Sequence, residues 1–247
     1  MTDFDDDGGA RVVAVFTHPD DAEIGAGATL AKWTADGREV TLVVVSDGEK
    51  GSQDPSRDRD ELVRLRKEEV RAGAARLGVR DVEFLDVVDG EVENTPELRA
   101  AIALIVRRVR PRTVVCPDPT AWFFGDPNDT DHRAYFNHRD HRMTGEAVLD
   151  AVAPGAGNPH FFPEQLAEGL RPWDVPEVWL GPTLEANHVE DVTGFVQAKL
   201  EALACHASQL VEDQLKWFED WIPADAAEEG KKIGAEAGES FRVLRFV

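Results

Sequence analysis

Short apolar runs rich in β-branched residues alternate with helical segments through the first half of the chain. The runs lie at 11–16, 41–46, 82–87 and 112–117. Strands of a parallel sheet are buried on both faces and therefore read as continuous apolar runs. Strands that alternate with helices through short connections form such a sheet. The pattern predicts an α/β fold that is Rossmann-like, with a mostly parallel sheet and helices on both faces.

The helices of this first half have recognisable boundaries. Helical patterns cover 24–36, 61–78 and 96–110. Gly37 and Gly78 end the first two, as glycine commonly does after the last helical turn. The third begins with proline and ends in arginines, which suit the two ends of a helix.

In the second half of the sequence, further helices and strands are predicted after a long loop with several aromatic residues. We predict that loop at 118–137, helices at 139–152 and 193–209, strands at 176–180 and 188–192, a mainly helical stretch at 210–238, and a last strand at 241–247. No internal repeat or linker divides the chain. We expect residues 1–10 to be a flexible acidic tail and residues 11–247 to form a single domain.

The charge of the chain excludes several partners. Asp and Glu number 48 against 27 Lys and Arg, so the formal net charge is −21. Such a chain repels polyphosphate, which argues against nucleic acid and anionic membranes as partners. The N-terminus is acidic where a signal peptide would be basic and apolar. Cys116 and Cys205 are too few for a disulfide framework, and a cytoplasmic location is predicted.

Polar clusters follow the predicted strands at the points where the strands end. Residues 18–23 follow the first strand, residues 47–49 the second, and a polar loop follows Cys116. Ligands of open α/β sheets bind at the carboxyl ends of the strands. We therefore expect the functional site at these clusters.

The first cluster contains His18, Asp20 and Asp21. Adjacent carboxylates repel each other, and a nearby cation would stabilise both charged forms. His and Asp are suitable ligands for a zinc-like metal. Capping of the helix near Ile24 would explain one of the aspartates, but not His18 or the second carboxylate.

The glycines at the start of the first helix allow a nucleotide-binding interpretation. Gly25 and Gly27 begin a G-x-G-x-x-G pattern, but Leu30 stands in place of the third glycine. Acidic residues also occupy the position that a pyrophosphate would take. A close approach of the helix to the sheet is the favoured explanation of these glycines.

The second cluster contains His138, Asp140 and His141. Two histidines at i and i+3 share one face at the start of a helix. The flanking arginines also allow an exposed turn. The helical spacing, with an aspartate between the histidines, favours a metal site with a supporting carboxylate.

The two clusters together could supply a catalytic zinc site, which needs three protein ligands and an open position. His18, Asp21 and one of the two later histidines make three. Asp20 would then be free to act as a general base, and the other histidine as an acid or oxyanion stabiliser. The residues alone do not decide between His138 and His141.

The pair of motifs H-P-D-D at 18–21 and H-x-D-H at 138–141 resembles the PIG-L/LmbE-like zinc-dependent deacetylases, which include N-acetylglucosaminyl deacetylases. Weaker matches lie at 66–69, at Lys199 and at 206–209. The resemblance covers most of the chain.

By position, the resemblance implies that His18, Asp21 and His141 bind zinc and that Asp20 is the general base. Fe(II) or Co(II) suits the same nitrogen and oxygen ligands.

The resemblance also implies roles for residues around these ligands. His138 becomes the general acid or oxyanion stabiliser, and Asp140 would orient it. Arg66 and Asp89 fall near positions that hold sugar hydroxyls in some members, although a surface ion pair is an equally good explanation of Arg66. Arg139 stands where the family usually has proline.

The implied function is removal of an N-acetyl group from an amino sugar or amino-sugar conjugate, through a zinc-activated water. The substrate would be a small molecule, and a homo-oligomer is possible. Two alternatives remain: an amidase that cleaves a larger acyl group or thiol conjugate, and a non-catalytic metal- or sugar-binding relative. Asp20 argues against the second alternative, since a binding protein needs no base.

Overall fold

The computed structural model describes residues 10–125 and 135–246. The predicted tail at 1–10 lies outside these residues except for Ala10, as does part of the predicted loop at 118–137. The strands are β1 (Arg11–Phe16), β2 (Glu39–Ser46), β3 (Asp81–Val87), β4 (Thr113–Cys116), β5 (Phe123–Phe124), β6 (Tyr135–Phe136), β7 (Glu177–Leu180), β8 (His188–Asp191) and β9 (Gly238–Arg245).

Seven helices accompany the strands within the described residues. They are α1 (Asp21–Ala35), α2 (Arg59–Arg76), α3 (Pro96–Val109), α4 (Arg139–Asp150), α5 (Pro163–Ala167), α6 (Val196–Leu203) and α7 (Glu212–Lys231). A π-helical turn over Ala151–Ala156 extends α4. None of these helices is both long enough and apolar enough to cross a bilayer.

The main sheet has seven strands in the order β3-β2-β1-β4-β7-β9-β8. The first five strands in this order pair in parallel. β9 runs antiparallel to both of its neighbours, β7 and β8. The predicted α/β fold with a mostly parallel sheet is confirmed.

Two apolar layers cover the two faces of the sheet. Val13 and Val15 of β1 face the layer formed with α3 and α4. Val12 and Ala14 face the opposite layer, formed with α1, α2 and α6. Successive side chains of a strand point to opposite faces, so each face of β1 needs its own helical cover. The continuous apolar runs in the sequence reflect this double burial.

The glycine at the start of α1 lets that helix lie close to the sheet. A Cβ on Gly25 would stand 2.8 Å from the Phe16 ring. This contact supports the packing explanation of Gly25 given above.

The second half departs from the sequence expectations in its details. The helix predicted at 193–209 is only the short α6, because the chain leaves the helix after Leu203 to bury His206. The loop predicted at 118–137 contains β5 and β6, a two-residue antiparallel pair. Such short pairs leave almost no periodicity in the sequence.

Arg107 is a buried cation near the end of α3. Its guanidinium is almost fully buried and donates to Gln165 and to backbone carbonyls of one segment. The acceptors on the backbone are those of Gly155, Ala156, Asn158, Phe161 and Phe162. This side chain therefore satisfies the carbonyls of a segment with little regular structure.

We expect Arg107→Ala to lower the free energy of unfolding by roughly 3–5 kcal/mol, because several buried carbonyls lose their donor at once. The matched control is Arg108→Ala. That neighbouring side chain is half exposed and pairs with Glu83 at the surface, so its loss should cost less than about 1 kcal/mol. Denaturant unfolding of both variants measures the difference, and equal losses would contradict the assigned role.

Candidate metal centre and active site

The predicted site residues meet at the carboxyl edge of the sheet. His18 follows β1, Asp89 follows β3, and His138, Asp140 and His141 lie at the start of α4. The backbone N–H of Gly90 donates to Asp140 Oδ2 at 2.7 Å, and this bond ties the loop after β3 to α4. The fold thus brings together the two motifs, which are 120 residues apart in the sequence.

Three potential metal-ligand atoms form a tight triangle. His18 Nδ1 lies 3.1 Å from His141 Nε2 and 3.3 Å from Asp21 Oδ2. Asp21 Oδ2 lies 3.0 Å from His141 Nε2. Ligands about 2.1 Å from one tetrahedral ion stand about 3.4 Å from each other. The spacing and the donor types fit a divalent metal ion.

A second group of three residues also has metal-ligand spacing. Suitable atoms of His18, His138 and Asp140 lie within 4.8 Å of one another. This group shares His18 with the first. The hydrogen bonds around the histidine rings favour the first group, as described next.

The ring of His141 has its orientation set by Asn137. His141 Nδ1 lies 3.2 Å from the amide oxygen of Asn137, which only accepts hydrogen bonds, so Nδ1 carries the proton. The lone pair of Nε2 then faces Asp21 and His18. An outer partner of this kind is usual for a metal-binding histidine. Sequence reasoning missed Asn137, although its i, i+4 spacing from His141 was visible.

Carboxylates surround the ring of His18. Its Nε2 lies 3.3 Å from Asp89 Oδ1 and 3.6 Å from Asp140 Oδ2, on the side away from the triangle. The backbone N–H of His18 donates to Asp21 Oδ2 at 2.7 Å. The ring can therefore place its Nε2 proton toward Asp89 and Asp140, and its Nδ1 lone pair toward the triangle.

The electrostatics of the cluster favour a cation. Burial lowers the pKa of His18, but interactions with Asp140, Asp21 and Asp89 outweigh this effect and raise that pKa to about 12. Burial raises the pKa of Asp21, but its contacts with His141 and His18 outweigh burial and hold that pKa well below its usual range. The three carboxylates stabilise a proton on His18, so their combined negative charge at this site is strong. A divalent metal ion would neutralise the same charge.

Asp20 lies between two predicted ligands in sequence, and its backbone is unusual. Its φ is 110°, a region that non-glycine residues rarely occupy, with Asp and Asn among the most tolerant. The Arg66 guanidinium donates to the Pro19 carbonyl at 2.6 Å and to Asp20 Oδ2 at 3.2 Å. It also donates to the carbonyl of Gly48. Arg66 therefore holds both the backbone turn and the Asp20 carboxylate.

Burial and neighbouring charges shift the pKa of Asp20. Burial raises the pKa of Asp20 to about 6, against the opposing effect of Arg66 and with the help of Asp21. His206 is fully buried, with Nε2 3.3 Å from a carboxylate oxygen of Glu23. Burial lowers the pKa of His206, but Glu23 outweighs it and raises that pKa. His206, which lies in one of the weaker family matches, is thus a buried partner of Glu23, just after the first motif.

His138 is exposed and caps α4. Its Nδ1 accepts the backbone N–H of Asp140 at 3.2 Å, so a neutral ring carries its proton on Nε2. Partial desolvation of the ring and the nearby His18 lower the pKa of His138, which favours this neutral form. The side chain of Asp140 does not take part in that bond. Its carboxylate accepts from Gly90 and faces His18, so the structure gives no support to the predicted orientation of His138 by Asp140.

Arg66 and Asp89, the two residues predicted to bind the substrate, contact other groups of the protein. Arg66 is 3% exposed, and its two terminal nitrogens donate to Asp20 and two backbone carbonyls. Asp89 is also buried, facing His18 with one oxygen and accepting the N–H of Lys50 with the other. This geometry supports positioning roles for both residues, and contact with sugar hydroxyls stays an untested prediction.

The comparisons with known proteins identify the family. A family model described as PIG-L, GlcNAc-PI de-N-acetylase, matches residues 13–152, more than half of the chain. A diacetylchitobiose deacetylase of Thermococcus kodakarensis is 33% identical, over 95% of this chain and 83% of that protein. The chain belongs to the PIG-L family, which confirms the expectation from the two motifs.

Two further relatives agree with this family. A probable N-acetyl-α-D-glucosaminyl L-malate deacetylase 2 of Bacillus anthracis is 30% identical over 86% of this chain and 88% of that protein. The structure of an N,N'-diacetylchitobiose deacetylase from Pyrococcus horikoshii matches with a TM-score of 0.84 and 32% identity, covering 96% of this chain and 84% of that one.

We expect zinc to stabilise the protein through the His18–Asp21–His141 triangle. At 100 times its Kd, zinc should add about 2.7 kcal/mol to the free energy of unfolding and raise the Tm by roughly 5–10 °C. His141→Ala should abolish this rise, and thermal unfolding with and without zinc measures it. His160→Ala, at an exposed histidine, is the control and should keep the full rise. Loss of the rise in His138→Asn instead would assign the metal to the second group.

Proposed function

We propose that this protein is a metal-dependent hydrolase that removes an N-acetyl group from an amino sugar or amino-sugar conjugate. The observation that carries the proposal is the triangle of ligand atoms with a separate, positioned carboxylate, Asp20, next to it in the chain. Membership of the PIG-L family supports it, as do relatives that are named deacetylases of N-acetylated sugars.

A metal ion bound at His18, Asp21 and His141 would polarise the amide carbonyl and acidify a water molecule. Zinc is the proposed ion, because two imidazoles and one carboxylate with an open position are typical of catalytic zinc sites. Asp20 accepts the proton of the attacking water. Arg66 keeps the Asp20 carboxylate in place, so no entropy is lost in orienting the base during the reaction.

In this proposal His138 acts on the oxygen of the amide. Its Nδ1 accepts the backbone N–H of Asp140, and its Nε2–H has no acceptor among the described residues, so this N–H can donate to the substrate. A fixed donor of this kind stabilises the negative charge that develops on the carbonyl oxygen. Proton donation to the departing amine would complete the reaction and leave acetate and a free amine.

The cellular setting is also part of the proposal. Cys116 and Cys205 are both free thiols, which is typical of a reducing cytoplasm. Burial strongly raises the pKa of the Cys116 thiol, so this residue is inert beside the site. A homo-oligomer remains the proposed assembly, and size-exclusion chromatography with light scattering would test it.

We expect Asp20→Asn to lower kcat by about 10²–10⁴-fold, because the general base is lost. Asn tolerates a positive φ and has nearly the shape of Asp, so fold and metal content should be kept. Acetate release from N-acetylated amino sugars measures the activity, alongside metal analysis. Asp54→Asn, at an exposed loop carboxylate, should have the activity of the unchanged protein. Full activity of Asp20→Asn would contradict the mechanism.

We expect His138→Asn to lower kcat by about 10²–10³-fold without loss of metal, because an oxyanion donor is removed. Asn is a favourable residue at the start of a helix, so the cap of α4 is preserved. Steady-state kinetics and metal analysis separate the two effects. An unchanged kcat would exclude His138 from the chemistry.

A further inference from the structure

An apolar cavity of about 470 Å³ lies directly beside the metal-ligand triangle. Asp21 and His141 form one part of its wall. Aromatic and aliphatic side chains form most of the remainder, and they come from β1, α1, the β5–β6 pair and α7. They include Phe16, Ile24, Phe124, Trp217, Phe218 and Trp221.

The other polar side chains in this wall are engaged within the protein. Asp118 accepts hydrogen bonds from Thr120 and Thr183. The amide of Asn137 donates to the Ala121 carbonyl, and its oxygen contacts His141. The remaining polar side chain of the wall is that of Tyr135, whose hydroxyl has no hydrogen-bond partner among the described residues. The wall therefore offers a ligand mainly apolar contact.

Two tryptophans of α7 lie at the mouth of the cavity. The rings of Trp217 and Trp221 stack with 5.3 Å between centroids and 7° between planes. Their exposed fractions are 55% and 39%. Large aromatic rings are seldom so exposed to solvent on an acidic surface. Exposed apolar patches beside a cleft commonly mark a binding site.

The cavity is far larger than an acetyl group requires. The acetyl group adds a single methyl to the amide carbonyl, whereas this volume is within the range of pockets that enclose whole small ligands. The cavity also begins at Asp21 and His141, so a group inside it would be attached close to the scissile amide.

We propose that the substrate carries a bulky uncharged apolar group, aryl or alkyl, that binds in this cavity. The inference rests on one part of the proposed function, the hydrolysis of an amide at the metal site, whether the acyl group is acetyl or longer. The group can be attached in two ways: as an N-acyl chain longer than acetyl, or as an aglycone on the amino sugar. With either attachment, an uncharged apolar group contacts the wall of the cavity.

A sugar ring suits this wall less well than an apolar group. Each hydroxyl buried without a partner costs about 1–3 kcal/mol, and the described wall has few free partners. A carboxylate or phosphate on the ligand is also disfavoured, since Asp21 and Asp118 lie in the wall of a chain of net charge −21.

The experiment compares matched ligands in two series. One series varies the aglycone: the methyl, 4-nitrophenyl and octyl glycosides of N-acetylglucosamine. The other varies the acyl group: N-acetyl-, N-butyryl- and N-hexanoylglucosamine. N,N'-diacetylchitobiose is the sugar comparison. Calorimetry on zinc-loaded Asp20→Asn protein gives Kd, and steady-state kinetics on the unchanged protein give kcat and KM.

In at least one series, we expect the ligand with the largest apolar group to bind about tenfold more tightly than the methyl glycoside or the N-acetyl ligand of that series. The series that responds identifies the point of attachment. Trp221→Ala and Trp217→Ala should each remove most of that gain. Phe161→Ala, at an exposed aromatic residue outside the wall, should keep the full gain.

Flat affinities in both series would overturn the inference, and so would a gain that survives both tryptophan substitutions. Tighter binding of diacetylchitobiose than of every aryl and alkyl ligand would assign the cavity to a second sugar instead. The proposed function is tested separately. If acetate is released but all ligands of a series have the same Kd, only the apolar subsite is contradicted. If ligands with larger apolar groups bind more tightly but no amide is hydrolysed, only the proposed reaction is contradicted.

Discussion

The site depends on the carboxylates that enclose His18 at the end of β1. Asp21 comes from the start of α1, Asp89 from the loop after β3, and Asp140 from α4. Each of these contacts joins a different part of the chain to the central strand. Close carboxylates repel each other, so the arrangement is stable only with positive charge between them, as a proton on His18 or as a metal ion. A metal ion bound at His18 would therefore couple metal binding to folding.

The supporting residues form a second layer of paired charges behind the site. Arg66 pairs with Asp20, His206 with Glu23, and Lys199 with Glu239, and most of these side chains are buried. Breaking one partner of such a pair leaves an uncompensated charge in the interior. The weaker family matches at Arg66, Lys199 and His206 therefore coincide with buried ion pairs.

The net charge of −21 has little to do with the chemistry. Only a few acids surround His18, and most other acids lie at the surface. The described residues that line the cavity beside Asp21 and His141 are instead mainly apolar, and they include Trp217 and Trp221 on α7 and Phe124 on the β5–β6 pair. Composition did not show this contrast, because Phe124 precedes Trp217 by 93 positions in sequence and meets the two tryptophans only in the fold.

The sequence by itself determined the sheet, the family and the order of the ligand motifs, because buried strands and short motifs are local patterns. It predicted His18, Asp21, Asp20, His138 and His141 as neighbours, and it missed Asn137. It also could not show that Arg66 and Asp89 point inward, or that His206 reaches Glu23. Those contacts join residues separated by tens to nearly 200 positions. Only the tertiary structure decided them, since side-chain direction and burial depend on which elements pack against each other.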